Sequence, residues 1–386
     1  MNEITCLERV RASLEHREPD RVPYDLGGSH VTGIHQKAYR RLRKHLGLPD
    51  REVVIEDPIQ QLAKVDEDVK GRLKVDVDGI MPHRYAAFKP KETEDGEYFY
   101  FVDDWGVERR MPKEGGLYYD MCHNPMAGFS VEEAMARFRY PDPTDPSRYF
   151  GMREKAQECF QKGRAYILGR NAPGVLETSL WVRGFEDFFA DMVANRKFAE
   201  GLLDRVMEVK LKYWEIALEL VGENVLVVSE ADDLGGQNGP LISPKLYREL
   251  IKPRHKELFS TIKRKAKTKV YIFFHTCGSV RELLPDLIEA GVDILNPVQV
   301  SAAGMDTKEL KKEFGKEITF WGGGIDTQRV LPKGTGQEIV DEVKRRIDDL
   351  APEGGFVFTP VHNIQADVPP ENIMTMWETF EHRATC

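Results

Sequence analysis

The chain has 386 residues, 41% of them hydrophobic and 31% charged, an ordinary globular mix with ample material for a core. A formal net charge of −9 argues against nucleic acid as the main partner, and no apolar run approaches the ~20 residues that a membrane span needs. The charged N-terminal stretch MNEITCLERVRASLEHREPDR reads as helix and not as an export signal, so a cytoplasmic setting is expected, with the five cysteines reduced and free for a metal.

In chain order, residues 3–16 read as a short helix closed by Pro19, and RVPYDLGG (21–28) as a buried strand opening into a Gly-Gly turn. Helices are expected from about His35 to Leu46 and from Pro58 to Glu67, before the strand KVDVDGIMP (74–82). Residues 96–112 alternate aromatic and polar side chains around Asp103–Asp104, the pattern of an inserted β-hairpin. The insertion runs over about 96–150, with one helix at 131–138 and Pro-rich connections.

From Gly151 onward strands and helices alternate. The strands are 165–174, 224–235, 270–278, 292–300, 318–326 and 355–363, with helices at 151–162, 180–193, 197–221, 244–266, 280–290, 306–314, 336–350 and 370–382. Alternation of this kind means parallel βαβ units. Six strands, with those near 22 and 75, make the eight of a closed (β/α)8 TIM barrel with an N-terminal helical extension, built as a single domain over 1–386. An open doubly wound sheet is the alternative, but no strand is followed by a GxGxxG turn.

Barrel enzymes keep their chemistry where strands end. There this chain places Tyr24 and Asp25; Arg170 and Asn171; Glu230, Asp232 and Asp233; His275 and Cys277; Asn296 and Gln299; Gly322 to Asp326; His362 and Asn363. Burying so many polar groups without partners would be costly, so their convergence at one barrel mouth is the simplest account. In VYIFFHTCGS (270–279) strand period two turns His275 and Cys277 the same way, roughly 7 Å apart, as two of the soft ligands that zinc takes. His362 completes that set, binds a substrate carboxylate or donates a proton. Period two also puts Glu230 and Asp232 on one face and Asp233 on the other. These carboxylates could ligate a metal, accept a proton, bind substrate or cap the next turn. The Gly322–Gly324 run permits close approach of a ligand. Cys6 and Cys386 lie near the termini, and Cys122 and Cys159 lack partners at metal spacing.

The stretches HTCGSVRELLPDLIEAGVDILNPVQ, TFWGGGIDTQRVLP and GFVFTPVHNIQADVPPENI resemble the uroporphyrinogen decarboxylase superfamily, most closely over 222–380. That superfamily holds decarboxylases and zinc-dependent, corrinoid-linked methyltransferases, on a (β/α)8 barrel. The decarboxylases carry an arginine-rich segment of the form RQAGRY, whereas this chain has no arginine from 22 to 39. The methyltransferase branch carries His-x-Cys after this strand, which His275 and Cys277 match; its third ligand is usually a cysteine after the last strand, where this chain offers His362, with Glu230 as a replacement. The resemblance therefore implies a Zn2+ enzyme moving a methyl group between a small, O-methylated substrate and a corrinoid carried on a partner protein. Asp76, Asp232 and Asp233 match acidic positions of the family and stand as catalytic candidates, with Tyr24, Arg170, Asn171, Gln299 and Asn363 as substrate-binding ones. A metal-free decarboxylase is the alternative; a homodimer, common among large barrels and in this superfamily, is compatible with the sequence, which does not fix the oligomeric state.

Overall fold

A computed structural model describes residues 4–82 and 90–384. Cys386 lies outside the described residues. Seven strands form one parallel sheet in which every strand pairs with its neighbours in sequence: β1 (Val77–Ile80), β2 (Ala165–Leu168), β3 (Val227–Ala231), β4 (Tyr271–His275), β5 (Ile294–Asn296), β6 (Thr319–Trp321) and β7 (Phe356–Val357). The eighth position is filled by a short extended segment and not by a full strand. Asp25 N donates to Phe358 O at 3.0 Å and Phe358 N to Pro23 O at 2.9 Å, while Asp76 N donates to Tyr24 O at 2.9 Å. Pro23 has no N–H and the Gly27 turn (φ 89°) follows at once, so pairing cannot extend further. Residues 23–25 thus join the two edges of the curled sheet. The fold is a TIM-barrel-like α/β architecture.

Two apolar layers hold it. Inside the barrel, Val77, Ala165, Ile167, Val227, Phe273, Ile294, Trp321 and Val357 pack together, and Val10 and Leu14 of helix α1 (Cys6–Leu14) plug the N-terminal end. Outside, the other face of each strand packs on helices that include α2 (Val175–Arg183), α3 (Arg196–Val221), α4 (Lys252–Lys265), α5 (Gly336–Leu350) and α6 (Pro370–Arg383).

Two local expectations change, and a third holds within a larger sheet. The helix expected at 58–67 is a turn between short strands Ile55–Asp57 and Leu62–Ala63, because the Asp57 carboxylate captures Ile59 N and Gln60 N (2.8 and 3.0 Å) and Gln61 is left-handed (φ 55°). The helix expected at 180–193 begins earlier and is split by Gly184 (φ 94°) into α2 and Phe185–Ala194. The hairpin at 96–112 is present as Tyr98–Val102 against Glu108–Pro112, inside a four-stranded antiparallel sheet with Lys91–Glu92 and Asp120–His123.

Asp76 lies away from the barrel mouth. It precedes β1 at the closed end, is fully buried, and accepts from Arg9 Nη1 (2.7 Å), Arg21 (2.8 and 2.9 Å) and Tyr24 N (2.8 Å). This is a clamp holding α1 and the closing segment to the sheet, the stability role of that end. Tyr24 is likewise buried in the outer layer, its ring 5.3 Å from Phe380.

Candidate metal centre

His275 ends β4, with Ala231 and Asn296 opposite it on the two neighbouring strands. Its Nδ1 lies 2.6 Å from Asn296 Oδ1, and Asn296 Nδ2 donates to Trp321 O at 2.7 Å. That second bond fixes the amide with its oxygen towards the ring. Nδ1 therefore carries the proton, and Nε2 presents a lone pair to the mouth. Cys277 Sγ stands 3.5 Å from that Nε2, and the His362 ring centroid is 5.5 Å from that of His275. One ligand atom each from His275, Cys277 and His362 all lie within 4.8 Å of one another, the only such trio among the described residues.

Backbone geometry sets Cys277. Its N–H donates to Asp233 Oδ1 (2.9 Å), and the next amide, Gly278 N, donates to Gln299 Oε1 (2.8 Å). The loops after β3 and β4 touch without side chains: a Cβ on Gly278 (φ 85°) would sit 2.3 Å from Gly235 O, and one on Gly235 2.5 Å from Cys277 O. Gly235→Ala is expected to push the Cys277 loop away, weakening zinc binding about tenfold or more while the far end of the barrel stays folded. Competition with a chelator measures this; unchanged affinity would show that the loop contact does not hold the thiol.

Electrostatics favour a soft cation and no bound proton on the imidazoles. Burial lowers His275, and burial followed by His275 itself lowers His362 to about 4. Burial, then Asp233 and Glu177, pushes the Cys277 thiol well above its ordinary range. Two neutral imidazoles and a neutral thiol are what remains near neutral pH. The donor set of two nitrogens and one sulfur, with one histidine oriented from behind by an amide, fits zinc. Because only the thiol must lose a proton, zinc affinity is expected to rise about tenfold per pH unit between pH 6 and 8, with about one proton released per ion. Calorimetry in buffers of different ionisation enthalpy checks the count; a flat profile would mean the thiol is not a ligand.

The carboxylates divide as strand parity expects, but the face shared by Glu230 and Asp232 is the outer one. Glu230 is bound by Lys210 Nζ at 2.9 Å and Trp214 Nε1, both from α3, so it stands behind the sheet and outside the trio. Asp232 is fully buried and accepts from Leu176 N (2.9 Å), Glu177 N (2.7 Å) and His255 Nε2 (3.0 Å), capping α2 from below. Asp233 faces the mouth, its Oδ1 3.9 Å from His275 Nε2. Arg170 and Asn171 follow β2; Arg170 Nη1 donates to Ser229 Oγ (3.1 Å), and its charge reaches both histidines. Asn363 is occupied: its oxygen accepts from Gly33 N (2.6 Å), and its amide donates to His30 O (2.9 Å) and Gln60 Oε1 (2.8 Å). It ties the loop after residue 25 to the end of the sheet.

Glu177 joins this group although it ends no strand. It is the third residue of α2, whose start is pressed on β3 so closely that a Cβ on Gly174 would lie 2.1 Å from Ala231 O. Sequence reasoning misses it: the carboxylates after β3 read as capping the next turn, whereas Asp232 holds the start of the preceding helix.

The sequence profile of the uroporphyrinogen decarboxylase (URO-D) family matches residues 158–383, more than half of the chain. The chain belongs to that family. The matched URO-D segment contains β2 to β7 and all of His275, Cys277, His362, Asp233 and Glu177. Among its relatives are the uroporphyrinogen decarboxylases of Thermus thermophilus, 25% identical over 363 residues (91% of this chain, 92% of theirs), and Geobacter metallireducens, 24% identical over 275 residues (68% and 74%). A solved methyltransferase from Methanosarcina mazei shares the fold with a TM-score of 0.63 at 19% identity, covering 98% of this chain and 99% of that one. Membership makes the chain one of an enzyme family, and no helix among the described residues is long and apolar enough to cross a membrane.

Proposed function

We propose that this URO-D family member is a zinc-dependent methyltransferase, a single barrel domain that moves a methyl group between a small O-methylated substrate and a corrinoid carried on a partner protein in the cytoplasm. The observation that carries the reading is the trio His275, Cys277 and His362 at the mouth, with Asn296 fixing the tautomer of the first. The likeness of the whole fold to a solved methyltransferase supports it. When bound, zinc supplies Lewis acidity to a coordinated oxygen or sulfur. The residues do the rest. Asn296 holds the His275 lone pair outward, Asp233 holds the Cys277 amide and Gln299 the next amide, that of Gly278, and Arg170, Asn171 and Asp233 are the groups proposed to bind the substrate.

A second reading, a metal-free decarboxylase, is favoured by the names of the curated relatives. The absence of arginine from 22 to 39 removes the carboxylate grip that such a substrate needs. Two assays separate them. Zinc-loaded protein should methylate a reduced corrinoid from a methoxylated substrate, and a chelator should abolish this. Carbon dioxide release from a tetrapyrrole carboxylate that survives chelation would overturn the methyltransferase.

A further inference from the structure

The two histidines of the trio are held differently. His275 ends a strand and is oriented from behind by Asn296. His362 lies on the loop beyond β7, and among the described residues its ring packs edge-on to that of His275 and makes no hydrogen bond. Its place is therefore set by the chain on either side of it. Before it, Val361 N donates to Ile325 O at 3.0 Å; after it, Ile364 N donates to Gly33 O at 2.9 Å and Ile364 O accepts from His35 N at 2.8 Å. Between these anchors stands Asn363, 1% exposed, with every polar atom of its side chain engaged. Its Oδ1 accepts from Gly33 N (2.6 Å), and its Nδ2 donates to His30 O (2.9 Å) and Gln60 Oε1 (2.8 Å). Gln60 is fixed in turn, since its Nε2 donates to His30 O (2.9 Å) and Asp57 Oδ2 (3.2 Å).

An amide whose oxygen and both N–H groups are engaged has one orientation. Two of its partners belong to the loop after the closing segment and the third to the turn between the two short strands, so residue 363 is locked to places 330 and 303 positions earlier in the chain. A buried polar network with its members satisfied is stiff. Stiffness is what a donor on a loop needs if its ligand atom is to meet two others within 4.8 Å. Resting on the metal-centre reading, we infer that Asn363 is a positioning residue: it sets His362 as the third zinc donor by locking the next residue of the chain to the 26–35 loop and to Gln60. Metal affinity is thereby tied to closure of the barrel, because the third donor comes into place when that loop has docked.

Zinc affinity is measured by chelator competition on the full chain, and cobalt(II) bound in place of zinc reports the donors through its spectrum. Asn363→Ala is expected to weaken zinc about tenfold or more, the size of effect that loss of a supporting partner has. Its cobalt complex should keep the thiolate charge-transfer band of Cys277 and change its visible bands, as an imidazole gives way to water. A double-mutant cycle with His362→Ala separates positioning from general destabilisation. If Asn363 acts through His362, Asn363→Ala costs no further affinity once that imidazole is gone. Gln60→Ala removes one partner of Asn363 and should weaken zinc in the same direction by less; it takes the place of Asn363→Ala in the cycle should that variant fail to fold. Unchanged zinc affinity in the variant tested, or an equal loss with and without His362, would overturn the inference and leave the metal-dependent reading standing. A wild type that binds neither zinc nor cobalt would overturn both.

Discussion

Cys277→Ala and His362→Ala are each expected to leave the protein folded and strip it of stoichiometric zinc. Both side chains are only partly buried, so truncation opens little cavity, yet each removes one of three donors whose atoms lie within 4.8 Å of one another. Asn296→Leu should act more gently. It removes the acceptor that fixes the His275 tautomer, and loss of such a supporting group costs about 10–100-fold in metal affinity. Elemental analysis of protein purified without a metal-affinity tag, followed by chelator competition, gives all three numbers. Zinc retained at full stoichiometry in His362→Ala would move the third ligand elsewhere. Absence of zinc from the well-folded wild type after loading would return His275 and Cys277 to structural duty.

The second large effect lies behind the sheet. Lys210 and Glu230 form a fully buried ion pair at 2.9 Å, and Lys210 Nζ also donates to Pro173 O at 2.8 Å in the loop that leads into α2. Lys210→Met should destabilise the protein by about 3–5 kcal/mol, because Glu230 is left as a buried charge with no cation. Replacing both partners, Lys210→Met with Glu230→Leu, should recover most of that loss, since a packed apolar pair avoids the desolvation penalty. Urea denaturation of the two variants and the wild type measures both differences. A loss below about 1 kcal/mol in the single variant would show that water reaches Glu230.

Much of the barrel was legible because six apolar strands alternate with helices of regular length, and each of those strands forms. The eighth was not, since Pro23 and the glycine turn leave it too short to pair as a strand. His275 and Cys277 were legible as a pair from strand period two, although the strand ends at His275; the 3.5 Å between Sγ and Nε2 was not, because it depends on side-chain conformation and on the loop that follows. Parity sorted Glu230 and Asp232 from Asp233 correctly, but parity alone does not say which side is the inside. That requires the partners: Lys210 and Trp214 from α3 for Glu230, and His255 from α4 for Asp232. Asp76 stood as a catalytic candidate because it matches an acidic position of the family, and it proved to be the anchor of Arg9 and Arg21 at the opposite end.

The closing segment also governs how this chain can be made. Tyr24 bridges Phe358, and Ser13 Oγ donates to Phe356 O across 343 positions of sequence. A ribosome has therefore released nearly the whole chain before either edge of the sheet finds its mate, and until then β1 and β7 present unpaired backbone to other chains. Synthesis is the stage at which this protein is most exposed to aggregation. Truncation or stalling before residue 358 leaves a sheet that cannot seal itself, whatever the stability of the finished barrel.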